Sequence, residues 1–337
     1  MTKQITAKKS ISVVLLIITL IFSLPLSVDA HAQKLIPGGM PFGVKVYSDG
    51  VSISGFTDTK DISRSKNPAI CSGLRTGDII TEIDGRKIST PEDLIKITQN
   101  SSGSLMKLKY TREGKSYQTN IKAIKTSDGQ LKLGVNLRDS VAGIGTVTFI
   151  DSESGTFGGL GHGICDPYTG SVIPILKGSV CKVDITNIIK GESGAAGEIH
   201  GSFINGRTGA VLKNCDKGIF GIFTNIPYTQ QKPLDCAESH EVCLGEATIL
   251  TTLDNNGIKS YKIKIESIDS ESPTKNFLIK VTDDELIQKS GGIIQGMSGS
   301  PIIQNGKLIG AVTHVLLNDP TKGYGILIEK MLKEVQS

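Results

Sequence analysis

Apolar and polar residues alternate in short runs along most of this chain, and glycine-containing turns separate the runs. Alternation with a period of two predicts strands that bury one face. Phe42-Gly43-Val44-Lys45-Val46 and Val51-Ser52-Ile53 predict two strands around a turn at Ser48-Asp49-Gly50. A third strand carries Ile79, Ile80 and Ile83 and ends at the hairpin signal Asp84-Gly85, and two more are predicted over 105–111 and 117–124. Between them lies a helix signal. Thr90 stands as N-cap with Pro91 at the first position and Glu92 and Asp93 in the first turn, which places Leu94, Ile95 and Ile97 on the buried side.

From residue 133 the texture is strands and glycine turns almost throughout. Strands are predicted over 141–150, 179–185, 198–204, 217–223, 246–252, 261–268, 277–281, 307–314 and 324–328. A helix is predicted only at the end, over 328–335. About ten short strands in some 200 residues suit a closed or double β-barrel rather than a parallel α/β sheet.

Composition agrees with a β-rich protein and changes the picture in two places. There are 337 residues, 39 glycines and no Trp, and 38% of residues are hydrophobic, enough for packed cores in two domains. The net charge of +4 gives no nucleic-acid signal. The first change comes from the N-terminus, where Lys3, Lys8 and Lys9 precede an apolar run over 13–22. That pattern predicts a secretory signal within 1–32, with Ala30 and Ala32 as small residues near a cleavage point, or else an uncleaved signal anchor. Export follows from either. The second change comes from six cysteines, which export would place outside the cytoplasm. Cys236, His240 and Cys243 have the spacing Cys-x3-His-x2-Cys, one ligand short of a structural zinc site, so no metal is assigned and thiols or a local disulfide are expected.

The chemistry concentrates in Gly296-Met297-Ser298-Gly299-Ser300-Pro301. Glycines on both sides allow a sharp turn and close backbone approach, which an exposed nucleophilic hydroxyl and its oxyanion donors require. A plain hairpin turn uses the same residues. His162 stands between Gly161 and Gly163 at a predicted strand end, where small neighbours leave the ring accessible as a general base. His314 lies inside a strand pattern and is expected to be buried and hydrogen-bonded, while His200 and His240 carry no distinctive context. Ser300 and Pro301 are incompatible with the strand-to-helix elbow of an α/β-hydrolase.

Two resemblances organise these signals. Gly73-Leu74 through Gly77-Asp78-Ile79-Ile80 to Ile83-Asp84-Gly85, followed by a capped helix and two strands, resembles a PDZ domain of the bacterial protease-associated kind. The resemblance implies that Phe42, Gly43 and Val44 form the loop that receives a peptide chain end, with the helix from Pro91 as the other wall of the groove and the peptide adding as a strand. The ligand implied is an end of this chain or of a partner.

The order His162, acid, Ser298 and the serine hexapeptide resemble chymotrypsin-like proteases. Together, the PDZ pattern, Gly159-Leu160-Gly161-His162-Gly163-Ile164, and the run from Gly296 through Asn305-Gly306-Lys307 to His314 resemble the stage IV sporulation protein B (SpoIVB) peptidase family. By that resemblance the fold is mainly β: a chymotrypsin-like double β-barrel over 133–337, preceded by a small α+β PDZ domain over 36–126. Ser298 is implied as nucleophile, His162 as base and Asp283 as acid, with Asp284 and Asp166 as competitors. Gly296 and Ser298 are implied as oxyanion donors, and no cofactor is called for. The family further implies an exported, membrane-associated serine endopeptidase of sporulation, acting between the forespore and mother-cell membranes. It would cleave itself and then a membrane-bound regulator of an intramembrane protease, leading to activation of a late sigma factor. The alternative is a catalytically silent PDZ and barrel scaffold that binds peptides.

Overall fold

The computed structural model describes residues 33–227 and 231–335. The expected signal segment lies outside the described residues. No helix among the described residues is long and apolar enough to cross a membrane.

Two six-stranded barrels form the body. The first uses β1 (Pro41–Phe56), and the PDZ sheet continues through β2 (Ile79–Ile83), β3 (Leu105–Arg112) and β4 (Lys115–Lys122). The remaining staves of the first barrel are β5 (Val135–Ile150), β6 (Thr156–Gly159), β7 (Ile175–Ile189), β8 (Glu198–Cys215) and β9 (Gly218–Phe223). Their antiparallel order is β5-β6-β9-β8-β7-β1, and β1 pairs back onto β5 to close the ring. The second barrel closes in the order β10 (Gly245–Thr251), β11 (Lys259–Ile268), β12 (Phe277–Val281), β15 (Asp319–Leu327), β14 (Lys307–Leu316) and β13 (Pro301–Gln304). Each barrel fills its interior with the alternating apolar residues of its own strands. Val44, Val147, Phe157, Val180 and Ile219 pack in the first, and Ile249, Ile263, Ile279, Ile302 and Val312 in the second.

The double barrel is the expected fold, but its first stave is not where the sequence placed it. The alternation over 42–46 and 51–53 predicts a hairpin within the PDZ module. In the structure β1 is one 16-residue strand, with no turn at Ser48-Asp49-Gly50. Its first half pairs with β5 (Phe42 opposite Gly145, Val44 opposite Gly143) and with β7 (Val44 opposite Val180). Its second half crosses into the PDZ sheet, where Val51 faces Ile80 and Ile53 faces Leu137. The PDZ module is thus inserted into the first barrel rather than preceding it. Side-chain burial explains the choice. Phe42, Val44 and Val46 are 2%, 1% and 0% exposed, and full burial of such side chains stabilises by about 1.5–3 kcal/mol each.

The rest of the PDZ module follows its sequence closely. Helix α1 (Pro91–Asn100) starts with a capping box, in which Asp93 N donates to Thr90 Oγ1 and the Asp93 carboxylate accepts from Thr90 N. Leu94 is buried against the module's core, but Ile95 is 54% exposed and lies on the outer face, contrary to expectation. Asp78, almost fully buried, takes both Arg112 Nε and Nη2 at 2.7 Å. Two helices complete the chain, α2 (Asp284–Ser290) and α3 (Ile328–Val335). Helix α2 has no counterpart among the predicted elements, because its seven residues are too few to display a helical apolar period. Helix α3 packs Ile328 and Met331 with Leu35, Phe149 and Phe220, joining its own barrel to the first.

Candidate active site

The loop after α2 carries the serine hexapeptide across the seam between the barrels. Gly296 and Gly299 hold φ of +99° and +96°, a region that side chains rarely adopt. A Cβ on Gly299 would stand 2.0 Å from the Thr146 carbonyl oxygen. Gly299 is therefore required by backbone approach, and Gly296 by its left-handed φ and by the Ile199 side chain 3.0 Å from where a Cβ would stand.

The first barrel grips this loop through β5. Thr146 N donates to the Ser298 carbonyl at 2.9 Å, Thr146 Oγ1 to the Gly296 carbonyl at 2.8 Å, and Thr148 Oγ1 to the Gly299 carbonyl at 2.8 Å. From the second barrel, the Val312 carbonyl accepts Gly299 N at 2.7 Å. With its carbonyls held, the loop leaves the N–H groups of Gly296 and Ser298 without an acceptor among the described residues. Two unpaired donors beside a serine hydroxyl are what an oxyanion site needs. Ser300, fully buried, shapes the turn by donating its N–H to the Met297 carbonyl at 2.9 Å.

His162 reaches the same seam from β6. Leu160 and Gly161 are consecutive left-handed residues (φ +66° and +67°) that swing the chain off the strand end toward β14. A Cβ on Gly161 would lie 2.9 Å from Thr313 Cγ2. The His162 ring is half-buried, and its centroid stands 4.8 Å from that of His314 at an angle of 35°. Nδ1 lies 3.0 Å from the Gly163 carbonyl. A carbonyl only accepts, so this contact puts the proton on Nδ1 and leaves Nε2 as the basic nitrogen. Desolvation holds the His162 imidazole below its usual pKa. His314 is pushed down to about 4 by desolvation, and further by the like charges of His162 and Lys275. Both rings are therefore neutral at physiological pH, the form in which an imidazole accepts a proton.

The hydroxyl of Ser298 donates to the Thr313 carbonyl at 2.6 Å. Its acceptor residue is the neighbour of His314, so its proton is committed to backbone beside the histidine pair. His314 was expected to be buried and hydrogen-bonded. It instead projects outward from β14 with its ring on His162, and no local pattern announced that contact because its partner lies about 150 residues upstream. Thr146 and Thr148 were missed for the same reason.

The expected acid is not in this group. Asp283 is the N-cap of α2: Oδ1 accepts from Leu286 N and Oδ2 from Lys262 N, both at 3.1 Å. One oxygen thus caps the first turn of α2 and the other ties the cap to strand β11. Asp284 is exposed in the first turn of α2, and Asp166, half-buried, closes its own turn by accepting from Tyr168 N and Thr169 N. Among the described residues no carboxylate touches His162.

The peptide-end loop is also displaced. Phe42, Gly43 and Val44 lie inside β1, all three paired with β5 and Gly43 and Val44 paired with β7 as well, so the segment is built into the barrel wall rather than open to an added strand. The place beside the second half of β1 is taken by this chain's own β5, whose Val135 and Leu137 pack on the PDZ core. The cysteine-histidine spacing does not converge either. His240 is exposed and paired with Glu238 at 3.2 Å, burial pushes the Cys236 thiol up to about 12, and no metal-holding group of His, Cys, Asp or Glu occurs among the described residues.

Comparison with known proteins adds the following. A family model described as SpoIVB peptidase S55 matches residues 129–332, and a PDZ domain model matches residues 43–123. No curated protein sequence matches. Similar solved structures include the PDZ domain of an SdrC-like protein (Lmo2051) from Listeria monocytogenes, 28% identical, with a TM-score of 0.23 over 27% of this chain and 90% of that one. The active form of the Rv3671c protease from M. tuberculosis is 13% identical, with a TM-score of 0.36 over 58% of this chain and 74% of that one. The HtrA-type protease AlgW with a tripeptide is 13% identical, with a TM-score of 0.33 over 58% and 56%. At such scores the structural likenesses carry no argument, and the weight rests on the sequence match over the barrels.

Proposed function

The chain belongs to the SpoIVB peptidase S55 family and is a serine peptidase with a PDZ domain, and from that premise we propose that Ser298 is its nucleophile and His162 its general base. The observation that carries this reading is the conjunction at the seam: a serine hydroxyl, two unpaired N–H groups and a neutral imidazole whose Nε2 is left unprotonated by the Nδ1 contact.

In the reaction, the Ser298 hydroxyl leaves the Thr313 carbonyl and donates to His162 Nε2. As Oγ attacks the substrate carbonyl, the proton passes to Nε2, and the Gly296 and Ser298 N–H groups receive the oxyanion; His162 then protonates the departing amine. The Gly163 carbonyl holds the His162 tautomer in the arrangement seen. Loss of one oxyanion donor in such sites costs about 3 kcal/mol of barrier. Because Ser298 is bonded to Thr313, this arrangement is a resting one, and substrate entry supplies the rearrangement.

The biological assignment rests on the family. We infer an exported, membrane-associated endopeptidase of sporulation, working between forespore and mother-cell membranes. It cleaves itself and a membrane-bound regulator of an intramembrane protease, which activates a late sigma factor. A second reading, a silent peptide-binding scaffold, draws on the Ser298–Thr313 hydrogen bond and on the use of Asp283 as a helix cap. Wild type and Ser298→Ala decide between them when incubated with a fluorophosphonate and mapped for new N-termini. Labelling and self-cleavage confined to wild type support the peptidase assignment; undiminished labelling of Ser298→Ala rejects the nucleophile, and no labelling or cleavage by either protein supports the scaffold.

A further inference from the structure

A cavity of about 560 Å³ opens beside Gly296, one of the two oxyanion donors. Its floor is tied to the nucleophile loop. Ile199 N donates to the Gln295 carbonyl at 2.9 Å, and the Ile199 side chain lies where a Cβ on Gly296 would meet it at 3.0 Å. On a strand, neighbours of an inward residue face outward. Ile199 is 2% exposed and points inward, so Glu198 and His200 stand at the solvent side of the cavity, their side chains about half exposed. His200 Nε2 lies 3.0 Å from Glu198 Oε2, which fixes the carboxylate at the rim and leaves Oε1 open. Ile144 of β5 and Phe203 of β8, the latter 43% exposed, supply apolar wall. Glu198 is the one carboxylate among the lining residues, and no lysine or arginine is among them.

The trough is mixed, with apolar wall from Ile144, Ile199 and Phe203, polar groups from Thr186, His200 and Gln295, and one anchored anion at its rim. It suits a long side chain with an aliphatic stem and a cationic head, which packs its methylenes on the wall and keeps its charge at the edge. We propose that this cavity is a substrate subsite for a lysine or arginine within two residues of the scissile bond, with Glu198 as the charge partner and Ile144 and Phe203 as stem contacts. The inference rests on Ser298 and Gly296 forming the reaction centre. Its substrate class is a basic peptide segment, so a natural target would present Lys or Arg next to the cut. A surface pair of Glu198 and His200 with no ligand role is the competing explanation. The difference is measurable because such a pair would leave peptide selection untouched.

The test uses a library of end-blocked octapeptides in which one position at a time is Lys, Arg, norleucine or Glu. Wild type is allowed to cleave the library, and immobilised Ser298→Ala is used to retain it; products and retained peptides are sequenced. The expected result is enrichment of Lys and Arg over norleucine by about tenfold near the cut and on the column, the scale of one charge-assisted hydrogen bond. In Glu198→Gln the ratio collapses toward one, and in Glu198→Lys it turns in favour of Glu. Absence of enrichment, absence of any retention, or enrichment undiminished in Glu198→Gln overturns the subsite. Selective retention on Ser298→Ala with no cleavage by wild type would reject the nucleophile assignment and leave the subsite standing.

Discussion

Thr146 holds the segment around Ser298 at two points, its N–H on the Ser298 carbonyl and its hydroxyl on the Gly296 carbonyl. One residue of the first barrel thereby fixes the 296–297 and 298–299 peptide planes, each next to a plane that carries one of the proposed oxyanion donors. Those planes are themselves held through the Gln295 and Met297 carbonyls, which accept from Ile199 N and Ser300 N. Thr146→Val keeps the shape and the backbone bond but leaves the buried Gly296 carbonyl without its donor, a cost of about 1–3 kcal/mol. The expected outcome is a fall of roughly tenfold or more in the fluorophosphonate labelling rate of Ser298, with a modest fall in Tm. Labelling at the wild-type rate would separate Thr146 from the site.

Gly299 is the second fixed point. Alanine there would meet the Thr146 carbonyl oxygen at 2.0 Å and would strain a φ of +96°. A left-handed non-glycine alone costs about 1–3 kcal/mol, and the overlap adds to it. Gly299→Ala should lower the denaturant midpoint and abolish labelling, whereas Gly257→Ala, also left-handed but in open space, should show the strain without loss of labelling.

Asp283 offers a sharp discrimination. As an N-cap it should tolerate asparagine, which accepts the same N–H bonds, and should lose about 1 kcal/mol as alanine. Asp283→Asn is expected to retain both Tm and labelling. Complete loss of labelling at unchanged Tm would show that the carboxylate reaches His162 during turnover.

The two neighbouring histidines predict the acid side of the pH dependence. His314 titrates at about 4 in the folded chain against 6.5 as its ordinary value, so between those limits the unfolded chain binds a proton that the native ring does not. Stability therefore falls as pH drops from 6.5 toward 4, and His314→Asn should flatten that part of the curve in denaturant titrations. For His162, also depressed by burial, the acid limb of kcat/KM should lie below 6.5. A limb at or above 6.5 would indicate a carboxylate partner.

In the PDZ module, Arg112→Ala strands the buried Asp78 carboxylate. Removing one partner of such a pair costs about 3–5 kcal/mol, so the module should become protease-sensitive before the second barrel does. Limited proteolysis with mapping of the first cuts checks this order.

Local signals were legible wherever the physics is local. The alternation of Ile79, Ile80 and Ile83, the cap at Thr90 and the Asp84-Gly85 turn each depend on neighbours within a few residues, and each is present as read. The glycines around Ser298 and His162 also announced themselves, because backbone approach excludes a side chain whatever the partner. Phe42-Gly43-Val44 illustrates the limit. Its alternation demands a buried face but does not say which sheet provides it, and β5 and β7 outcompeted a hairpin inside the PDZ module.

By itself, then, the sequence determined a β-rich chain with a PDZ-like module, a double barrel, and a serine and a histidine in turns built for exposure. The tertiary structure alone decided that β1 is shared between module and barrel, that Asp283 caps α2, and that His314 rather than a carboxylate lies against His162. These are contacts between segments up to about 150 residues apart. Which partner wins there depends on packing and on the satisfaction of buried polar groups across the whole fold, and no short stretch of chain encodes that competition.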